Sequence, residues 1–173
     1  GRNMSEMKTA LVTGALGVLG RAISETLIKD GMRVVLVDLD GDALAKYAAG
    51  FPAGQALAAA CDISDPAAVE AAAALIKKSW GTVDVLVNNA GILSNNKAVG
   101  TSPEEWKKVL SVNLDGAFYF SRAFMEDMKK KKWGRIINIT SLAAKTGGIT
   151  AGTAYSVSKG ALVSPTFRSE ERR

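Results

Sequence analysis

Short apolar runs alternate with longer amphipathic stretches along the chain, and this alternation limits the folds that are open to it. The runs predicted to be strands are Thr9–Thr13, Arg33–Asp38, Gln55–Cys61, Val83–Val87 and Arg135–Thr140. The stretches predicted to be helices are Val18 to Lys29, Asp42 to Ala49, Pro66 to Ser79, Pro103 to Lys131 and Tyr155 to Val163. Strand–helix–strand units of this kind form a parallel sheet with helices on both faces. We therefore predict an α/β fold of one domain over residues 8–164, a doubly wound Rossmann-type parallel sheet.

Two of the predicted helices carry clear start signals. Asp65 followed by Pro66 places an N-cap carboxylate before a proline at the first helical position. Ser102 and Glu105 have the spacing of a capping box at the start of the long fourth helix.

The residue types that are absent exclude several classes of site. The 173 residues include no histidine and one cysteine, Cys61. This composition excludes a Ser-His-Asp triad, a disulfide framework and a Cys/His zinc site, so we expect no metal. Cys61 is interpreted as a small buried hydrophobic residue. Catalysis by this chain would rest on Tyr, Lys, Ser, Asn, Asp or Glu side chains, or on a bound cofactor.

The charge and hydropathy favour neither nucleic acid nor membrane as a partner. The net charge is +5, and the one visible basic cluster is Lys129 to Lys132, which we interpret as a helix C-terminus whose cations complement the dipole. No apolar run approaches the roughly 18 to 20 residues that a membrane span requires. Glycines interrupt the stretch from Lys8 to Leu19, which fits a strand and turn better than a signal peptide. A cytoplasmic location is expected.

A glycine-rich turn joins the first predicted strand to the first helix. Gly14, Gly17 and Gly20 have the spacing G-x-x-G-x-x-G, and Leu16, Val18 and Leu19 lie between and beside them. A helix N-terminus presents free N–H groups and a partial positive charge to a pyrophosphate. In this interpretation Gly14 permits the tight turn, Gly17 lets the phosphates approach the backbone, and Gly20 lets the helix pack close to the strand. The sequence therefore predicts a dinucleotide-binding turn, although a plain βα turn is the alternative.

Asp38 ends the second strand and is the candidate for recognising a ribose. A carboxylate at this position accepts hydrogen bonds from both ribose hydroxyls and repels a 2′-phosphate. The next residue is Leu39 and not a cation. Asp38 therefore favours NAD over NADP, the alternative being a solvated aspartate at a strand end.

Further landmarks follow in a fixed order, and together they resemble the short-chain dehydrogenase/reductase family. They are Asn88-Asn89-Ala90-Gly91 after the fourth strand, then Asn113, Ser141, and Tyr155-x-x-x-Lys159. The resemblance covers about Lys8 to Val163. The family's usual turn is T-G-x-x-x-G-x-G, whereas Val18 takes the place of the middle glycine here and Gly17 precedes it, a spacing similar to the family's extended branch.

Tyr155 is the candidate acid and base for moving the proton of a substrate hydroxyl. A free phenol titrates near pH ~10, and bringing its pKa to about 7 requires on the order of 4 kcal/mol of differential stabilisation. Lys159 lies four residues further on the same helix face, where its ammonium favours the phenolate. Ser141 follows the fifth strand, where its hydroxyl is expected to bind the substrate oxygen.

The resemblance implies further roles. Lys159 would also hold the nicotinamide ribose, and Asn113 would anchor a water relay from this lysine to bulk solvent. Asp62 and Ile63 would contact adenine. The remaining cleft residues would be Asn89, Ala90 and Gly91, with Asn88 bracing the sheet.

The function so implied is an NAD-dependent oxidoreductase that interconverts a secondary alcohol and a ketone. Its substrate would be a small molecule such as a 3-oxoacyl thioester, a sugar or polyol, or a similar hydroxy compound. Subunits would pair as a homodimer or homotetramer through the long fourth helix and the helix that bears Tyr155. Phe118, Phe124, Met125 and Met128 are interpreted as packing or subunit-interface residues.

The sequence departs from the family after Ser164. Pro165 interrupts the last helix, a polar tail of residues 165–173 follows, and the family's sixth and seventh strands are missing. Either residues that belong after Ser164 are omitted, which Phe167 and its flanking charges favour, or the chain is a truncated product. The alternative function is therefore a truncated, non-catalytic domain that binds NAD or a partner.

Overall fold

A computed structural model describes residues 7–164 and contains a five-stranded parallel sheet in the order β3-β2-β1-β4-β5. The strands are β1 (Thr9–Thr13), β2 (Arg33–Asp38), β3 (Ala56–Ala60), β4 (Val85–Asn88) and β5 (Arg135–Asn138). The helices are α1 (Val18–Lys29), α2 (Gly41–Ala48), α3 (Pro66–Trp80), α4 (Pro103–Leu110), α5 (Gly116–Lys131), α6 (Ala143–Thr146) and α7 (Thr153–Ala161). The predicted doubly wound parallel sheet is confirmed.

The inner strands are buried on both faces, and alternate residues face two separate cores. On β1, Leu11 belongs to one core, whereas Ala10 and Val12 belong to the other. The first core contains Phe120 and Phe124 of α5 packed with residues of α3. The second core contains Leu44 of α2, with partly buried residues of α1 against it. Covering both faces in this way leaves the ends of the strands as the accessible part of the sheet.

Both predicted helix starts are confirmed. The Asp65 carboxylate accepts a hydrogen bond from Ala67 N at 2.9 Å, and Ser102 Oγ accepts one from Glu105 N at 3.1 Å. The Glu105 carboxylate accepts from the side chains of Ser94 and Asn96, so it ties α4 to the loop after β4.

The fourth predicted helix is continuous but not uniformly α-helical. A π-helical segment, Ser111–Asp115, separates α4 from α5. A π-helical turn accommodates one extra residue, and over five residues the change in the hydrophobic period is too short to be recognised from the sequence. The helix ends as predicted: Lys129 to Lys131 form its last turn and Lys132 is a left-handed cap with φ 54°.

The remaining boundaries differ by a few residues from those predicted. β3 and β5 are shorter than expected, β4 begins two residues later, at Val85, and α7 begins two residues earlier, at Thr153. The short helix α6 and a 3-10 turn at Ala98–Gly100 were not predicted, because three or four residues show no periodicity.

β5 is an edge strand among the residues that the structure describes, with 46% of Ile137 exposed. The predicted tail, residues 165–173, lies outside the described residues. Within residues 7–164, no helix has the length and apolar character needed to cross a membrane. The same residues hold no cluster of three or more potential metal ligands from His, Cys, Asp and Glu.

We predict that Ile76→Ala lowers the free energy of unfolding by about 2–5 kcal/mol, because it opens a cavity beside the α5 phenylalanines. Ile76 is fully buried in the first core. The matched control is Leu75→Ala on the same helix, where the side chain is 50% exposed and the expected loss is below about 1 kcal/mol. Urea denaturation measures both. Equal losses at the two positions would contradict the described packing of α3.

Candidate functional site

A cleft of about 610 Å³ lies at the carboxyl ends of β1, β2, β3 and β4. From β1 the chain adds β2 and β3 on one side of the sheet, and it then returns to add β4 and β5 on the other side of β1. Open α/β sheets bind ligands at the strand ends where the order changes in this way. The lining residues come from the loops after β1, β2, β3 and β4, and from the helix that contains Lys108 and Val112. They are Gly14, Leu16, Gly17, Val18, Leu19, Gly20, Asp38, Leu39, Cys61, Asp62, Ile63, Asn89, Ala90, Gly91, Ile92, Lys108 and Val112.

The glycine turn forms the floor of the cleft. Gly14 has φ +64°, a conformation that few residues with a side chain adopt. Gly17 is the N-cap of α1, so the free N–H groups of the first helical turn lie at the cleft. A Cβ on Gly20 would overlap the carbonyl oxygen of Gly14, whereas a Cβ on Gly17 would lie 3.4 Å from that oxygen. Gly20 thus lets α1 approach the turn itself, and not the strand as the sequence suggested.

Asp38 connects the second strand to this turn. Its Oδ2 accepts a hydrogen bond from Leu16 N at 2.9 Å, and its Oδ1 accepts one from Leu39 N at 2.8 Å. Each carboxylate oxygen retains a further lone pair, and the half-buried group lines the cleft. Asp38 is therefore part of the turn's structure as well as a polar group available to a ligand.

Asp62 and Ile63 form the side of the cleft after β3. Asp62 Oδ1 accepts hydrogen bonds from Ser64 Oγ at 2.6 Å and Ser64 N at 2.9 Å. These bonds, with a smaller contribution from the charge of Lys108, hold the pKa of Asp62 below its usual value. Sequence reasoning missed Lys108, because a lysine on a polar helix gives no signal that it faces a cleft.

The loop after β4 is fastened to the glycine turn. Asn89 Nδ2 donates to the carbonyl oxygen of Thr13 at 3.0 Å, and Thr13 Oγ1 accepts from the backbone N–H groups of Asn89 and Ala90, each at 3.0 Å. Asn88 Nδ2 donates to Asn138 Oδ1 at 2.9 Å, across β4 and β5. The side chain of Asn88 therefore connects β4 to β5, whereas Asn89 lies at the cleft.

Tyr155 and Lys159 lie together on α7. The Lys159 Nζ is 5.9 Å from the centroid of the Tyr155 ring and donates to the carbonyl oxygen of Ile139 at 2.9 Å. Lys159 is only 4% exposed, and this burial lowers the pKa of its ammonium from the usual 10.5. Ser141 follows β5, and its Oγ accepts from Ala143 N at 3.2 Å.

Asn113 occupies the π-helical segment and is 1% exposed. Its Oδ1 accepts from Ile92 N at 2.8 Å, and its Nδ2 donates to Ile92 O and to Ser158 Oγ, both at 3.0 Å. A buried amide with three such bonds fixes the loop after β4 against α7. π-Helical turns are frequent at functional sites because they redirect a side chain in this way.

Gly91 joins the cleft to the α7 pair. It lines the cleft, and a Cβ at this position would lie 3.1 Å from Lys159 Nζ and 3.3 Å from Asn113 Oδ1. The absence of a side chain at residue 91 therefore lets the buried ammonium reach the end of the cleft. The two groups of residues that the sequence singled out separately meet here.

The profile of the short chain dehydrogenase family matches residues 8–169. The chain belongs to this family. The 3-oxoacyl-(acyl-carrier-protein) reductase FabG of Salmonella typhimurium is 37% identical over 159 residues, which are 91% of this chain and 64% of that protein. The 2-dehydro-3-deoxy-L-rhamnonate dehydrogenase (NAD(+)) of a Sphingomonas species is 38% identical over 157 residues, 90% of this chain and 62% of that protein.

A crystal structure of a short-chain dehydrogenase from Streptomyces avermitilis matches with a TM-score of 0.85 and 31% identity. The match covers 92% of this chain and 58% of that one. This chain thus spans less than two thirds of the length of these family members. The family resemblance inferred from the sequence is confirmed.

The structure brings most of the singled-out residues to one place. All of the predicted cofactor residues line the cleft except Tyr155 and Lys159, which lie on α7 beyond Gly91. Sequence reasoning did not assign Ile92, Lys108 and Val112 to the cleft. Cys61 is 6% exposed, and burial raises the pKa of its thiol to about 11, so it is an inert wall residue.

We predict that Gly20→Ala lowers the free energy of unfolding by about 1–3 kcal/mol, because the added methyl group forces α1 away from the turn. Gly17→Ala is the control. Its Cβ would make only a van der Waals contact, 3.4 Å from Gly14 O, so its expected cost, the loss of a glycine N-cap, is below about 1 kcal/mol. Chemical denaturation gives both values, and equal tolerance of the two substitutions would contradict the described turn.

Proposed function

We propose that this chain is the cofactor-binding and catalytic part, residues 8–164, of an NAD-dependent oxidoreductase that interconverts a secondary alcohol and a ketone. The observation that carries the proposal is the buried Lys159 ammonium, which lies beside Tyr155 and against Gly91 at the end of the cleft. NAD would supply the hydride acceptor, and its reduced form the hydride donor. Catalysis by Tyr155, Lys159, Ser141 and Asn113 is part of the proposal.

The groups that line the cleft fit a dinucleotide. The N-terminal amides of α1 suit a pyrophosphate, the Asp38 carboxylate suits ribose hydroxyls, and Asp62 with Ile63 suits the adenine edge. Leu16, Val18, Leu19 and Leu39 would pack around the sugars and phosphates. Lys108 is the one cation among the lining residues; its charge acts on Asp62, and it would offset part of the negative charge of a bound dinucleotide.

Tyr155 would hold and move the proton of the substrate hydroxyl at its Oη. The Lys159 ammonium, 4% exposed and with its Nζ 5.9 Å from the centroid of the Tyr155 ring, is the cation that would stabilise negative charge at this oxygen. An anion at this oxygen would also stabilise Lys159, because burial alone lowers the pKa of the ammonium and a neighbouring negative charge favours its charged form. Lys159 would also hold the ribose next to the reactive ring.

Ser141 would orient the substrate oxygen. Its Oγ accepts a hydrogen bond from Ala143 N, so its own O–H remains available for donation to the substrate. A donor fixed before the reaction stabilises charge that develops on the substrate oxygen. Asn113 would hold the Ile92 backbone, and thus Gly91, against Lys159, and would anchor the water relay from that lysine.

Two observations support NAD over NADP. The Asp38 carboxylate lies where a 2′-phosphate would be repelled, and Leu39 offers no compensating charge. The name of the Sphingomonas relative also specifies NAD(+). The substrate proposed is a small molecule with a secondary alcohol or its ketone. The names of both relatives specify a keto group, on a 3-oxoacyl chain carried by a protein in one and on a 2-dehydro-3-deoxy sugar acid in the other.

A homodimer or homotetramer located in the cytoplasm is also proposed. Phe118 of α5 is 56% exposed, and Trp106 of α4 is exposed on the same continuous helix, which supports a subunit contact there. Phe124 and Met128 are buried in the first core and are packing residues.

We predict that Tyr155→Phe lowers kcat by roughly 10²- to 10⁴-fold, because the ring is retained while the proton-carrying oxygen is lost. NADH affinity, followed by nicotinamide fluorescence, is expected to change less than about threefold, because the phenol oxygen is not the main cofactor contact. Steady-state oxidation of NADH against a panel of ketones gives kcat. Undiminished turnover by the variant would contradict the role of Tyr155, and NADH binding without turnover by the wild type would favour the non-catalytic alternative.

We predict that Asp38→Asn reduces the preference for NADH over NADPH by about 10- to 100-fold, because two charge-assisted hydrogen bonds to the ribose weaken. The amide oxygen can still accept from Leu16 N, so the bond to the turn is retained, whereas the bond that Oδ1 accepts from Leu39 N is lost. Asp40→Asn is the control, since Asp40 caps α2 and asparagine caps as well. The ratio of kcat/KM for the two cofactors is measured, and an unchanged ratio for Asp38→Asn would remove the argument for NAD.

A further inference from the structure

Lys97 holds together two loops that flank the α7 pair. Its Nζ donates to three backbone carbonyl oxygens, those of Gly148 at 2.6 Å, Ile149 at 3.2 Å and Ala151 at 2.7 Å. An ammonium has three N–H donors, so this group is fully used by one loop. Lys97 itself belongs to the other loop, the one that follows β4. We call this arrangement, Lys97 with residues 148–151, the Lys97 clamp.

Backbone hydrogen bonds continue the clamp to the start of α7. Gly152 N donates to Ser94 O at 2.6 Å, and Thr153 N donates to Asn96 O at 2.9 Å. Gly152 is the N-cap of α7 and Thr153 its first residue. The first N–H groups of a helix have no partner within it, so the loop after β4 caps α7.

The loop that caps α7 is itself anchored. The Glu105 carboxylate of α4 accepts from Ser94 Oγ, and also from Asn96 Nδ2 at 2.7 Å. The route of fixed contacts therefore runs from α4 through the loop after β4 to Lys97 and on to α7.

Little space remains for these loops to slide past each other. Gly148 has φ +78°, and a Cβ there would overlap Ser156 Oγ. A Cβ on Gly152 would lie 2.5 Å from Ser94 O. Tyr155 follows two residues after the start of α7, so the position of its ring depends on how this helix end is held.

We infer that Lys97 is a positioning residue: by binding the carbonyl groups of residues 148–151, it fixes the N-terminal turn of α7 and thereby the direction of the Tyr155 phenol. Its consequence for turnover rests on the proposed function, whereas its effect on the helix end does not. A misplacement of about 1 Å at a reacting group can cost on the order of 10²-fold in rate. Lys97 would therefore affect kcat without contacting cofactor or substrate.

The test compares Lys97→Met with the wild type. Methionine is unbranched and one atom shorter than lysine, so it retains most of the apolar stem and removes all three donors. We expect kcat to fall about tenfold or more, with NADH affinity within about threefold of the wild type, because the cofactor cleft is not part of the clamp. Hydrogen exchange followed by mass spectrometry is expected to accelerate in peptides spanning residues 148–156 and to stay unchanged in peptides spanning residues 9–20.

The matched control is Lys107→Met, which removes an exposed lysine of α4 and is expected to leave all three measurements unchanged. Two outcomes for Lys97→Met would overturn the inference: unchanged exchange at residues 148–156, or faster exchange there with unchanged kcat. If the wild type shows no turnover, the proposed function fails, and the exchange comparison alone then decides whether Lys97 holds the end of α7.

Discussion

The interaction on which the site depends is the burial of one ammonium group, that of Lys159, where two strand ends and two helices meet. Removing a lysine from water is unfavourable unless its donors are used, and the carbonyl group of Ile139, just beyond β5, accepts from it. Gly91, beyond β4, leaves the space that the amine occupies. Asn113 then fixes the loop that carries Gly91. Ile139, Gly91 and Asn113 together accommodate the buried charge of Lys159.

Much of this arrangement follows from the sequence for a simple reason. In a parallel sheet, all βα loops emerge at one edge, so residues that follow different strands must become neighbours. Gly14 and Asp38 were assigned from their positions at strand ends, and Asp62 and Asn89 from the family resemblance; all four line one cleft. The boundaries of β1, α1 and β2 were also predicted to the residue, because valine-rich runs and glycines mark them clearly. The edge strands were less well bounded, since β3 consists mostly of alanine and the sequence pattern of β5 does not show where its pairing with β4 stops.

Other features could not be predicted, because they depend on the exact path of the chain. The π-helical segment around Asn113 adds a residue to a helix without altering its composition. Lys108 lines the cleft from α4, just before that segment, and its neighbours in the sequence do not mark it as a cleft residue. The three carbonyl groups around Lys97 come from a loop whose shape is set by two glycines, and backbone groups leave no trace in a sequence. The periodicity of a sequence thus shows which side chains lie on one face of a helix or strand, but it does not show which side chains bind the backbone of irregular loops.

The double use of Asp38 has a consequence for how such a protein could change its cofactor over evolutionary time. The same carboxylate accepts a hydrogen bond from the Leu16 amide in the glycine turn and lines the cleft, where we propose that it binds the ribose. A lineage that simply replaced it with an apolar residue would abandon an acceptor for that amide and disorder the turn. Viable intermediates would be polar, uncharged residues that still supply an oxygen to Leu16. Because one residue would determine both the cofactor preference and the structure of the turn, fewer substitutions at this position can change one without the other.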